Sequence, residues 1–265
     1  MKVFISADIE GVTGVTSWCE TEYGGDGYEA ACRQMTLEVA AACRAAVEKG
    51  WEVVVKDGHG TARNIDISML PEEAELIRGW RCSPEGMMGG LDDSFDAAVY
   101  IGYHSAEGMD TSSLAHTTEH EWFNWVKING KLASEFSMNA LYAADMGVPS
   151  VFISGDKGIC EHAKEYCPDI ITVPTKDSIG NSTWNQHPEK SIRMIHDGVA
   201  EALENVKKVS LDEKEYIMDI YFKEHQSARA ASFYPGAEVL DNHTVRYKAL
   251  GVEDLMVAKM FMTEI

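Results

Sequence analysis

Positive charge is scarce in this sequence. Against 43 Asp and Glu stand 23 Lys and Arg, a formal net charge of −20 over 265 residues. That deficit excludes duplex DNA, RNA and anionic membrane as partners, because each is bound through a basic face. Long hydrophobic runs are missing too. No stretch approaches the ~20 apolar residues that span a bilayer, and Met1–Ile5 leads into Asp8 and Glu10, not into the apolar core of a signal peptide. A cytoplasmic protein is expected. Cysteine is sparse: Cys19, Cys32, Cys43, Cys82, Cys160 and Cys167 contain no Cys-x-x-Cys pair. A disulfide scaffold is therefore not expected, and the thiols read as buried and reduced. Three catalytic signatures are also absent. Ser6 and Ser154 lie in no Gly-x-Ser-x-Gly elbow, and the glycines at 24, 25 and 27 have neither a Walker lysine nor dinucleotide spacing.

What is present is a globular composition, 45% hydrophobic, in an alternating order. Lys2–Ile9 reads as a buried strand and 11–27 as a glycine-rich loop. Tyr28–Lys49 follows as an amphipathic helix stopped by Gly50. Glu52–Lys56, Ala97–Tyr103, Val148–Ser154 and Ile170–Pro174 read as further strands, Phe136–Met146 and Pro188–Val206 as helices. Asn129-Gly130 inside Trp122–Ala133 signals a hairpin with a type I′ turn. Strand–helix alternation predicts an α/β fold: a three-layer α/β/α main domain with a mixed sheet over residues 1–207. Beyond it, Glu215–Phe222, Ser227–Ser232, Thr244–Ala249 and Val252–Met262 predict a small C-terminal α+β satellite over 208–265.

The polar residues at the strand ends carry the chemical information, because ligands of open α/β sheets gather there. Ser6, Asp8 and Glu10 share one face at the two-residue strand period, and paired carboxylates repel unless a cation lies between them. The second strand delivers His59 and the third His104, beside Gly58, Gly60 and Gly102. The return strand of the hairpin delivers Glu135. Asp8, Glu10, His59, His104 and Glu135 form a hard-oxygen and imidazole set suited to zinc, with manganese or iron as alternatives. Five ligands are too many for one open tetrahedral ion and suit two, with Asp8 as the bridge. Asp57, Asp66, Asp92, Asp93 and Asp96 read instead as turn and cap residues. His116-Thr-Thr-Glu119-His120 matches a His-x-x-Glu-His metalloprotease pattern, but that chemistry needs a helix and a strand follows here. His116 stands in a polar loop from which an imidazole could exchange protons over a metal site.

These residues resemble a known family. Ser6-Ala7-Asp8-Ile9-Glu10-Gly11 is similar to the Ser-x-Asp-x-Glu-Gly signature of the zinc-dependent D-aminopeptidases of the dipeptide-transport (DppA) type. Val12-Thr13-Gly14-Val15, Asp57-Gly58-His59-Gly60, Gly102-Tyr103-His104-Ser105, Ile128-Asn129-Gly130 before Glu135, and Ser232-Phe233-Tyr234-Pro235-Gly236 extend the likeness in the same order. The resemblance implies two zinc ions per subunit bridged by Asp8, one completed by Glu10 and His104, the other by His59 and Glu135. It implies His116 as the catalytic histidine, for which we expect a role in proton transfer. It also implies a homodecamer acting on short peptides with an N-terminal D-amino acid, through a metal-bound hydroxide. Two other readings remain open at this point: a different dinuclear zinc amidohydrolase, and a non-catalytic peptide- or metal-binding protein linked to peptide transport.

Overall fold

A computed structural model describes residues 1–263 of the chain. In order, its elements are β1 (Lys2–Ala7), α1 (Tyr28–Glu48), β2 (Glu52–Asp57), β3 (Ala74–Ile77), β4 (Ala97–Tyr103), β5 (Phe123–Ile128) and β6 (Lys131–Leu132). Then come α2 (Glu135–Asp145), β7 (Ser150–Asp156), α3 (Lys157–Tyr166), β8 (Ile171–Ile179), β9 (Ser182–Asn185) and α4 (Pro188–Ala202). The chain closes with β10 (Glu215–Phe222), α5 (His225–Ala231), β11 (Glu238–Val239), β12 (Thr244–Leu250) and α6 (Val252–Thr263).

Seven strands form the main sheet in the order β3-β2-β1-β4-β7-β8-β9. All neighbours run parallel except β9, which turns back along β8. Every residue of β4 is buried, as is β1 from Val3 onward, which is why both read as continuous apolar runs without alternation. One face of the sheet packs on α1 and α4 through Met35, Val39, Ile195 and Val199. The other packs on α2 and α3 through Phe136, Ala140, Ile159 and Ala163. Each fully buried Val, Ile, Phe or Met side chain contributes about 1.5–3 kcal/mol. The result is the expected three-layer α/β/α arrangement with a mixed sheet.

A second sheet, β11-β12-β10-β5-β6, is antiparallel and packs on α5 and α6. Asn129 and Gly130 take φ of 50° and 80° in the β5–β6 turn, as a type I′ turn requires. This hairpin does not join the main sheet. Val126 pairs with Ile220 of β10, so the second sheet draws on 123–132 as well as on 215–250, and a division at residue 207 does not coincide with the division between sheets.

Several expectations need correction. Glu135 is the first residue of α2, capped by Ser134, and not part of a return strand, because β6 ends at Leu132. The strand β1 ends at Ala7, so Glu10 reaches its place through a turn and not by strand alternation. Helix α3 and strands β3, β9 and β11 have no counterpart among the sequence expectations. All six cysteines are free, but only Cys43 and Cys160 are buried; Cys19 and Cys82 are exposed.

Candidate metal centre

Strands β2, β1 and β4 lie side by side and end at one edge, where the connection from β1 leaves on one side and β4 stands on the other. Such a switch in strand order opens a crevice at the carboxyl ends. The backbone after β1 crosses the end of β4 at close range: Asp8 N donates to Ile101 O and Gly11 N to Gly102 O, both at 2.8 Å. A Cβ on Gly11 would stand 1.8 Å from Tyr103 O, and one on Gly102, whose φ is +74°, 2.2 Å from Asp8 O. Only glycine permits that crossing, and the crossing brings Asp8 and Glu10 against His104.

Five side chains converge there. His59 Nδ1 lies 3.2 Å from both Asp8 Oδ1 and Glu10 Oε2. His104 Nε2 lies 3.4 Å from Asp8 Oδ2 and 3.4 Å from Glu135 Oε2. Asp8 is thus flanked by both imidazoles. His116 joins from the loop before β5, its Nε2 3.6 Å from Glu135 Oε1 and its ring stacked on His104 at 4.1 Å. Ser6, expected on the same face as Asp8, shares a 2.7 Å hydrogen bond with the Tyr103 hydroxyl and makes none with the five converging side chains. The 116–120 segment is not helical, and Thr118 has φ of 70°. His116 and His120 therefore do not stand one turn apart on a helix face.

Backbone carbonyls set the tautomer of each histidine. His59 Nε2–H donates to Thr21 O at 2.8 Å, His104 Nδ1–H to Ser105 O at 3.0 Å, and His116 Nδ1–H to Leu114 O at 2.9 Å. In each ring the other nitrogen faces the carboxylates, the position from which an imidazole could offer its lone pair to a metal. That is how metal-ligating histidines are oriented. The carboxylates are held likewise: Glu135 Oε1 accepts from Thr118 N at 2.7 Å, and Asp8 Oδ1 from Ile9 N at 2.9 Å.

Burial opposes charge on Asp8, yet the close approach of the His104 and His59 imidazoles outweighs it and holds the carboxyl well below its usual range. Glu135, also opposed by burial, is brought down to about 2 by His104. Burial works against protonation of His59 and His104, but Glu10 and Glu135 respectively, with Asp8, raise both well above the ordinary value. His116 shifts the other way. Burial first, and the neighbouring His104 second, lower its pKa and favour a neutral ring.

Among the described residues, Asp8 Oδ2, Glu10 Oε2 and His104 Nε2 are buried without a hydrogen-bond partner. Leaving buried polar atoms unsatisfied costs about 1–3 kcal/mol each, and a cation would satisfy these three together. Ligand atoms of Asp8, Glu10 and His104 lie within 4.8 Å of one another, as do those of His104, His116 and Glu135. The donor set, carboxylate oxygen and imidazole nitrogen, fits zinc.

Four further groups support the cluster. Lys176, buried in β8, donates Nζ to the carbonyls of Glu10, Val12 and Val15. Burial pushes its pKa down to about 8. Glu38, buried in α1, accepts from Thr13 N at 3.1 Å. Between them they clamp the loop carrying Glu10. Asp156 accepts from Ser105 N at 3.0 Å and caps α3, fixing the backbone beside His104. Trp18 stacks on His120 at 4.0 Å and meets the His116 ring edge-on at 5.2 Å. The turn residues behave as expected: Asp57 accepts from Asn64 N and Ile65 N, and Asp66 from Ser68 N.

The cluster floors a cavity of about 740 Å³, walled by Trp18, Tyr28, Trp80, Met87 and Met138. That volume is within the range of small-ligand sites.

A family model described as D-aminopeptidase, of the M55 peptidases, matches residues 1–261. A D-aminopeptidase of Bacillus subtilis (strain 168) is 30% identical over an alignment covering all of this chain and 97% of that protein. Among solved structures, the Zn-dependent D-aminopeptidase DppA from Bacillus subtilis, described as a self-compartmentalizing protease, superposes with a TM-score of 0.93. It is 28% identical, over all of this chain and 97% of that one.

Proposed function

This chain belongs to the D-aminopeptidase family of M55 peptidases, and on that basis we propose that it releases N-terminal D-amino acids, D-alanine above all, from short peptides. It is a zinc-dependent aminopeptidase in its family relationships. The finer reading is a dinuclear site. The observation that carries it is the trio of unsatisfied buried ligand atoms on Asp8, Glu10 and His104, with His59 and Glu135 on either side.

In this reading Asp8, whose two oxygens face different histidines, would be shared by two ions. By family resemblance Glu10 and His104 would complete the site of one ion, and His59 and Glu135 that of the other. Zinc bound there supplies Lewis acidity toward the scissile carbonyl and makes water nucleophilic near neutral pH. The chain's own residues supply the rest. His116 takes a proton from the attacking water on its bare Nε2 and delivers it to the leaving amine. Its Nδ1–H bond to Leu114 O keeps that nitrogen available, and burial keeps the ring neutral until it is needed. We assign it this shuttle role and not that of a nucleophile.

A homo-oligomer, decameric by family resemblance, follows from the same reading. Ile179 and Trp184 at the β8–β9 turn, and Phe233 and Phe261, are exposed apolar side chains that an assembly would cover. No helix of the described residues is long and apolar enough to cross a membrane.

The test is the pair D-alanine and L-alanine p-nitroanilide. We expect the D substrate to be favoured at least about tenfold in kcat/KM, a difference of ~1.4 kcal/mol. Preference for the L substrate would point to another dinuclear zinc amidohydrolase, and saturable binding without product to a non-catalytic binder.

A further inference from the structure

The cavity over the centre is rich in carboxylates, Glu22 and Glu119 included, and Arg81 and Lys259 are the only Lys or Arg on its wall among the described residues. They come from distant parts of the chain, the loop after β3 and the helix α6. The loop is fixed close to the metal ligands. Trp80 Nε1–H donates at 2.7 Å to the carbonyl of Gly60, the residue after His59, and Lys56 Nζ sits 4.5 Å over the indole ring. Arg81, next in sequence, is thereby held at the rim beside the His59 turn. Its stem rests on Gly89, where an added Cβ would come within 3.3 Å of Arg81 Cδ. Lys259 Nζ approaches the same loop, 3.9 Å from where a Gly86 Cβ would stand.

The Arg81 guanidinium is held only loosely within the fold. Its ion pair with Glu85 Oε1 is long, 4.0 Å and beyond hydrogen-bond range, and its side chain is 56% exposed. A planar fork of donors in such a setting recognises a carboxylate in two-pronged fashion. A peptide substrate is itself a dipole. Its ammonium suits the acidic side of the cavity, whereas its terminal carboxylate would be repelled by a protein of charge −20 unless a cation received it.

We propose that Arg81, assisted by Lys259, forms a subsite for the free C-terminal carboxylate of di- and tripeptides. This rests on the aminopeptidase reading and adds the substrate class: short peptides with an unblocked C-terminus, selected over amides and longer chains.

The test compares D-alanyl-D-alanine with D-alanyl-D-alaninamide on the zinc-loaded enzyme. The wild type is expected to favour the free acid by about tenfold or more in kcat/KM, carried by KM, as a charge-assisted hydrogen bond implies. In Arg81→Met the ratio should collapse toward one as the KM for the acid rises. Arg81→Lys should retain part of the preference, and Lys259→Met should lose less than Arg81→Met. A wild type without preference, or an Arg81→Met variant that keeps it, overturns the proposal. Calorimetric binding of the same two peptides reads the subsite without turnover. Arg81-dependent preference for the acid in a protein that cleaves neither peptide would leave the subsite standing and remove the aminopeptidase reading instead.

Discussion

His116→Ala is expected to keep its zinc and lose about 10²- to 10⁴-fold in kcat/KM, the usual contribution of a positioned general acid–base. We set this residue apart from the five proposed ligands. Its ring is stacked on His104 with planes 4° apart, and its Nε2 meets Glu135 Oε1 at 3.6 Å, longer than the contacts linking the other five residues. Asp8 and Glu10 make no ion pair with it. A base must also be unprotonated at the start. Burial and the adjacent His104 lower the His116 pKa, whereas nearby carboxylates raise those of His59 and His104. Metal analysis beside steady-state kinetics distinguishes the roles. Loss of an equivalent of zinc from the variant would make His116 a ligand, a possibility its nearness to His104 and Glu135 makes concrete. Unimpaired turnover would remove it from the chemistry.

A larger loss is expected at Asp8. Asp8→Asn changes little in shape but removes the charge shared by His59 and His104. With Asp8 as the bridge we propose, loss of its charge would weaken both sites, so the variant should purify without either ion and fall by at least about a thousandfold in kcat/KM, more than 4 kcal/mol of transition-state stabilisation. An ordinary ligand of one ion would cost one equivalent of zinc and leave the other. Elemental analysis of the dialysed variant reads the difference. Retention of one full equivalent would contradict the bridging role.

Much of this arrangement was legible because parallel strands announce themselves. The buried runs of β1, β2 and β4 stop abruptly at polar residues, and Asp8, His59 and His104 stand within two residues of those ends. What escaped was non-local or masked by local chemistry. The β5–β6 hairpin was recognisable from Asn129-Gly130, but its sheet was not, since its partner β10 lies some ninety residues further on. Glu135 was recognised as acidic and near the hairpin, but Ser134 caps a helix there, and a helix start and a strand end differ by only a residue or two. Helix α3 opens on Asp156-Lys157-Gly158, where a glycine in the first turn weakens the helical signal. The glycine is needed because a Cβ would stand 2.1 Å from Thr111 Oγ1, a contact no local pattern reveals. Lys176 was hidden by Pro174, at which the strand was expected to end, although β8 continues to Ile179. A lysine inside a buried strand is the signal that could have found it.

The dinuclear claim is tested most directly by zinc titration of the chelator-stripped protein with release of D-alanine from D-alanyl-D-alanine as the readout. The stripped protein should be inactive, and activity should return with binding of about two equivalents per chain. Full activity at one equivalent, or activity that survives complete removal of metal, would contradict it.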